Sequence, residues 1–137
     1  MTQVFQVAII SGSVSDNEFV TLTALKLLEL KVTYDTRVLS AHRDLTALQE
    51  YIVYCNESKV KIFIALAGMA AALPGVVAAC TDKPVIGVPL PGSHLNGMDS
   101  LYSIVQMPKG VPVATMAIGE HGAINAAIFA HKILNIA

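Results

Sequence analysis

Strand-like and helix-like segments alternate five times along this chain, and that alternation leaves few architectures open. Val4 to Ile10 is apolar, rich in β-branched residues and closed by Ser11-Gly12, as a buried strand should be. Val32 to Leu39, Val60 to Leu66, Pro84 to Val88 and Val113 to Ile118 read the same way. A first helix is expected from Ser15, which precedes Glu18 in capping-box spacing, with Phe19, Leu22, Leu25 and Leu28 on one face. The second runs from Leu45 to about Asn56, striped by Leu45, Leu48, Ile52 and Cys55. Ala71 to Cys80 forms a short third helix, in which Pro74 is tolerable only in the first turn. Leu101 to Gln106, capped by Ser100, and Ala123 to Leu134 complete the helices. The connections suit right-handed crossovers. The pattern therefore predicts an α/β fold, a three-layer doubly wound parallel sheet of about five strands. The simplest strand order is the flavodoxin-like 2-1-3-4-5, in one domain over residues 1–137.

Composition excludes several classes of function. Net charge is -1 with no Lys/Arg run, so there is no electrostatic footprint for nucleic acid or an anionic membrane. Ile62 to Cys80 is uncharged and long enough to span a bilayer, but Gly68 and Pro74-Gly75 interrupt it. Cys55 and Cys80 fit neither metal-ligand nor CxxC spacing, which suits buried, reduced thiols in the cytoplasm. The first residues lack a basic n-region and a long apolar h-region, so no signal peptide is expected. Hydrophobic residues reach 54% against 14% charged, more apolar surface than a small monomer readily hides. Burial between copies of the chain is the expected outlet.

The candidate chemistry lies at the strand ends. Ser40-Ala41-His42-Arg43-Asp44 follows the second strand, and three other ends carry Gly12-Ser13-Val14-Ser15-Asp16, Ala67-Gly68-Met69-Ala70 and Pro91 to Gly97. Over a 2-1-3-4-5 sheet these tips either converge on one crevice or stand as four separate surface loops. Ser13 and Ser15 offer hydroxyls at a helix start, a phosphate-site pattern that is neither a Walker loop nor GxGxxG. Asp16 suits ribose hydroxyls, and Ser15 and Asp16 could equally serve as caps. Arg43 can fork onto phosphate or carboxylate and His42 can carry a proton near neutral pH; a capping His beside a solvated Arg is the alternative. The third tip offers backbone N–H groups before the Ala71 helix. His94, Asn96 and Asp99 lend the fourth some polarity without a metal-ligand spacing, while His121, in a Gly-flanked loop, and His131 read as non-catalytic.

Several motifs occur together in a fixed order. Gly12-Ser13-Val14-Ser15-Asp16, Ser40-Ala41-His42-Arg43, Ala71-Ala72-Leu73-Pro74-Gly75 and the run Leu95 to Pro108 are followed by Gly110 to Thr115 and Gly122 to Ala127. The chain thereby resembles, over almost its whole length, the PurE family of N5-carboxyaminoimidazole ribonucleotide mutases of purine biosynthesis. The resemblance implies a three-layer α/β fold, usually a homo-octamer, acting on aminoimidazole ribonucleotides and carbon dioxide without metal or organic cofactor. It also implies His42 as catalytic acid and base, and Ser13, Asp16 and Arg43 as phosphate and ribose ligands, with Ser40 close by and Ser15 in the same loop. The backbone around Ala67, Gly68, Ala71 and Leu73 would line a carboxylate pocket.

Direct carboxylases of aminoimidazole ribonucleotide form a sister class that usually carries Lys after the catalytic His; Arg43 favours the mutase. The chain departs from the family at Ala72, where a His is usual, at Asp44-Leu45, where Thr-Pro is usual, and at Met69, where Gly is usual. A helix cap from Asp44 is one expected compensation. These departures also admit a relative that binds a nucleotide without efficient turnover, whereas a carboxylase of pyridinium nucleotides is disfavoured by the Asp99 to Pro108 run.

Overall fold

The computed structural model describes residues 4–136; residues 1–3 and 137, which the expected domain includes, lie outside the described residues. Five strands and five helices alternate: β1 (Val7–Ser11), α1 (Asn17–Glu29), β2 (Tyr34–Val38), α2 (Leu45–Asn56), β3 (Ile62–Gly68), α3 (Leu73–Ala79), β4 (Val85–Leu90), α4 (Met98–Val105), β5 (Ala114–Thr115) and α5 (Glu120–Leu134). All strand pairs are parallel, in the order β2-β1-β3-β4-β5. This is the doubly wound, flavodoxin-like sheet that the sequence predicts.

The two faces of the sheet make two cores, because successive side chains of a strand point opposite ways. Val7, Ile9, Ile62, Ile64 and Leu66 pack with Leu27 of α1 and with Ala123, Ala126, Ala127 and Ala130 of α5. Ala8, Ile10, Phe63 and Ala65 pack on the other side with Leu48 and Ile52 of α2, Leu73 and Val77 of α3 and Ile104 of α4. Covering both faces accounts for the nearly continuous apolar runs of β1, β3 and β4. Edge strand β2 is partly open and reads Tyr-Asp-Thr-Arg-Val. Among the described residues, no helix is long and apolar enough to cross a membrane.

Local expectations fail where one element replaces another's role. The Ser15–Glu18 box does not form. Ser13 instead caps a 3-10 turn, Val14–Asp16, its side chain accepting the Ser15 N–H, and α1 starts only at Asn17. The α1 face is also rotated from the expected one: Thr23 and Leu27 are buried, whereas Leu25 and Leu28 are 57% and 62% exposed. Thr23 is drawn inside because its Oγ1 donates to the Ala123 carbonyl at 2.8 Å, where the alanine face of α5 lets α1 approach. In α2, Tyr51 joins Leu48, Ile52 and Cys55 in the buried stripe while Leu45 is 45% exposed.

Ser100 does not cap α4. Gly97 precedes that helix with φ 89, and the buried Ser100 Oγ lies 2.9 Å from the carbonyls of both Leu90 and Gly97. Strand β5 is two residues rather than six. Pro89 has no N–H, and its carbonyl faces the β5 edge, where it accepts the Gly119 N–H, so the ladder cannot continue. His121 lies in the first turn of α5, not in a loop. Burial pushes the Cys55 thiol up to about 11, which leaves it protonated at neutral pH; Cys80, at the end of α3, is half-buried and also free.

Candidate active site

The strand order sets the carboxyl ends of β2, β1, β3 and β4 side by side, and their four tips wall a single pocket of about 560 Å³. Gly12, Ser13, Ser15 and Asp16 come from the first tip and Ser40, Ala41, His42 and Arg43 from the second. Ala67 to Leu73 supplies the third part of the wall, Pro91 and Gly92 the fourth. A larger cavity, about 940 Å³, opens at the opposite ends of β4 and β5, between Cys80 to Ile86 and Gly110 to Pro112. Ligands of open α/β sheets bind outside the carboxyl ends, at the point where strand order reverses, which here falls between β1 and β3.

All ten positions named from the sequence lie on this wall: Ser13, Ser15, Asp16, Ser40, His42, Arg43, Ala67, Gly68, Ala71 and Leu73. Ala41, Ala70 and the Pro91-Gly92 pair were absent from that set. They contribute backbone and small apolar surface, which leaves no chemical signal beyond a position next to a strand end. His94, Asn96 and Asp99 are not on the wall. Their tip folds back on itself instead, Ser93 Oγ donating to Asp99 Oδ1 at 2.8 Å and accepting the Leu95 N–H at 3.1 Å.

The first tip is held by its own hydroxyls. Ser13 and Ser15 Oγ are 2.9 Å apart, and the Asp16 N–H donates to the Ser13 carbonyl at 3.0 Å. The second tip is tied to the sheet by the Leu39 N–H, which donates to the Ser11 carbonyl at 2.9 Å. Asp44 makes no side-chain cap on α2, against the expectation; its Oδ2 accepts the Ser40 N–H at 3.1 Å instead. The side chains of the third tip, Gly68 to Leu73, bear no charged group, so polar recognition there falls to the backbone. Met69 holds a left-handed φ of 55 and is 66% exposed at the pocket edge. Pro74 sits in the first turn of α3, as its missing N–H requires.

Charged groups on the wall are few, Asp16 and Arg43, with the His42 imidazole beside the latter. Burial raises the Asp16 carboxyl above its usual range, with a Ser13 backbone hydrogen bond working the other way. A carboxyl whose folded pKa is raised costs stability only once it ionises, so the cost is absent below the usual 3.8 and complete above the folded value. Asp16→Asn should therefore raise the melting temperature near pH 7, and that gain should vanish as the pH falls below the usual carboxylate range. The same variant should bind a ribonucleotide about ten- to a hundredfold more weakly, the scale of a lost hydrogen bond to a charged group. Calorimetry of free and ligand-titrated protein measures both; unchanged affinity would remove Asp16 from the site.

In sum of its chemistry, the pocket joins a permanent cation and three hydroxyls to an imidazole and a small apolar wall. That set can hold a phosphorylated sugar and move a proton next to it. A family described as AIR carboxylase matches residues 6–137. The N5-carboxyaminoimidazole ribonucleotide mutase of Bacillus subtilis is 53% identical over 129 residues, covering 94% of this chain and 80% of that protein. The mutase of Vibrio vulnificus is 52% identical with the same coverage. The crystal structure of Treponema denticola PurE superposes with a TM-score of 0.84 at 27% identity, covering 94% of this chain and 79% of that one.

Proposed function

The chain belongs to the AIR carboxylase family, and from that footing we propose that it is an N5-carboxyaminoimidazole ribonucleotide mutase, an isomerase of purine biosynthesis. The observation that carries this reading is identity above 50% to proteins of that name over 94% of the chain. The gathering of all four strand-end tips around one pocket supports it from the chemical side.

In the proposed mechanism Arg43, Ser13 and Ser15 take the phosphate and Asp16 the ribose hydroxyls. Ser40 serves the same end of the site, and the backbone from Ala67 to Leu73 holds the migrating carboxylate. The N–C bond of the carbamate breaks, releasing carbon dioxide inside the pocket, and His42 supplies the proton that the amine nitrogen needs. The ring carbon then attacks carbon dioxide, and its proton returns to His42. Proton and carboxylate balance over the cycle, as an isomerisation requires. An apolar, closely lined wall at the third tip suits a neutral carbon dioxide molecule that must not escape.

The test is incubation of purified chain with 4-carboxy-5-aminoimidazole ribonucleotide. Appearance of the N5-carboxy isomer is expected, and nucleotide binding without turnover would contradict the reading. The protein is proposed to work in the cytoplasm as a homo-oligomer, an octamer by family resemblance. Exposed apolar side chains support this, among them Leu25, Leu28, Leu95, Tyr102 and Val105. Light scattering should give about eight chain masses, and a monomer at micromolar concentration would overturn it.

A further inference from the structure

Ser40 and Asp44 face each other across the turn that carries His42 and Arg43, and each holds the other. The Asp44 N–H donates to the Ser40 carbonyl at 2.8 Å, and the Ser40 N–H donates to Asp44 Oδ2 at 3.1 Å. Inside this ring the Ser40 Oγ accepts the Arg43 N–H at 3.2 Å. Among the described residues, neither the His42 imidazole nor the Arg43 guanidinium makes a hydrogen bond or ion pair with the rest of the chain. Their placement at the pocket wall is thus set by the backbone of this one turn.

Asp44 stands at the N-cap of α2, yet its carboxylate caps nothing there. Its Oδ2 is directed instead at the first amide of the turn. Both Asp44 and the turn around it are solvent-accessible. Water can therefore replace the carboxylate at the Ser40 N–H with little loss of stability, but water cannot fix the turn's shape.

We propose that Asp44 is a positioning residue for the reaction, fixing through the Ser40 N–H the turn that presents His42 and Arg43 to substrate. The proposal rests on the mutase reading above for its catalytic consequence, but the clasp itself can be observed without turnover. Two other roles are open to a carboxylate here: a favourable charge at the amino end of α2, or no role at all. Asp44→Asn separates them, since it keeps an acceptor oxygen and removes the charge.

The experiment compares wild type, Asp44→Ala and Asp44→Asn by kcat, KM and Ser40 amide exchange in NMR spectra. In Asp44→Ala kcat should fall about ten- to a hundredfold, the cost of a small misplacement of reacting groups. Its Ser40 amide should exchange faster, and Asp44→Asn should stay within about threefold of wild type in kcat. A kcat in Asp44→Ala within about twofold of wild type would overturn the proposal. So would Asp44→Asn being as impaired as Asp44→Ala, which would make the charge the cause. If the wild-type chain does not interconvert the two isomers, the mutase reading falls by itself. Amide exchange then still decides the clasp: faster at Ser40 in Asp44→Ala alone supports it, and equal rates in all three proteins overturn it.

Discussion

His42→Asn is expected to lose the interconversion, with kcat down by about 10²–10⁴-fold or more, while the protein stays folded. The reason lies in the proton cycle. The same side chain must give a proton to the amine nitrogen and receive one from the ring carbon, which an imidazole can do and an amide cannot. Asn matches part of the ring's shape and can hydrogen-bond, but it cannot titrate. His42 is exposed and makes no internal hydrogen bond among the described residues, so its replacement should move stability by no more than about 0.5 kcal/mol. Nucleotide affinity should also survive, because the proposed phosphate and ribose ligands are other residues. Steady-state kinetics with a melting curve on the same sample reads both effects. Turnover close to wild type would take His42 out of the mechanism.

Gly122→Ala should be the most damaging change to the fold, costing about 3–5 kcal/mol, a large share of the stability of a domain this size. A Cβ at Gly122 would collide with the Ala117 carbonyl oxygen and lie 2.7 Å from its carbon. Both are backbone atoms, which cannot rotate away as a flexible side chain could. Relief would require α5 to lift from the segment before it, and that segment is anchored to β4 through the Gly119 N–H on the Pro89 carbonyl. The pocket-wall residues Pro91 and Gly92 follow directly from that strand, so the damage should reach the site. Chemical denaturation of the variant, or its failure to accumulate folded, tests this; a loss under about 1 kcal/mol would show that the close approach relaxes cheaply.

The sheet was legible in the sequence because burial on both faces writes itself into composition. β1, β3 and β4 are apolar at every position but Ser11, which ends β1, and the glycine and polar tips between strand and helix mark where the chain crosses the sheet edge. What escaped was local. Leu25 and Leu28 look like core residues by spacing, but Thr23 takes the inward position because a buried carbonyl of α5 accepts its hydroxyl. Ser15, Ser100 and Asp44 have the chemistry of caps and stand near helix starts, yet each hydrogen-bonds elsewhere. Such choices depend on partners distant in sequence or on turn geometry, neither of which a spacing rule contains. The short β5 was partly legible, through Pro89 on its neighbour, once the strand order was known.

The site shows the same division. His42, Arg43, Ser13 and Asp16 could be named because their chemistry is conspicuous at strand ends. Ala41, Ala70, Pro91 and Gly92 line the same pocket with nothing but shape. Strand order brings their tips to the crevice, but nothing in their own chemistry marks them as part of it. Asp44 reads as a helix cap from its place before α2, whereas its carboxylate turns back to the amide of Ser40.

The most direct test of the mutase reading follows the carboxylate itself. The chain is given 4-carboxy-5-aminoimidazole ribonucleotide labelled with carbon-13 in the carboxyl group, in buffer containing unlabelled bicarbonate, and sampled at short times. A mutase that holds carbon dioxide in its pocket should deliver the N5-carboxy isomer with the label retained. Release of free aminoimidazole ribonucleotide, or exchange of the label with bicarbonate in step with turnover, would contradict the account and place the chain among the direct carboxylases.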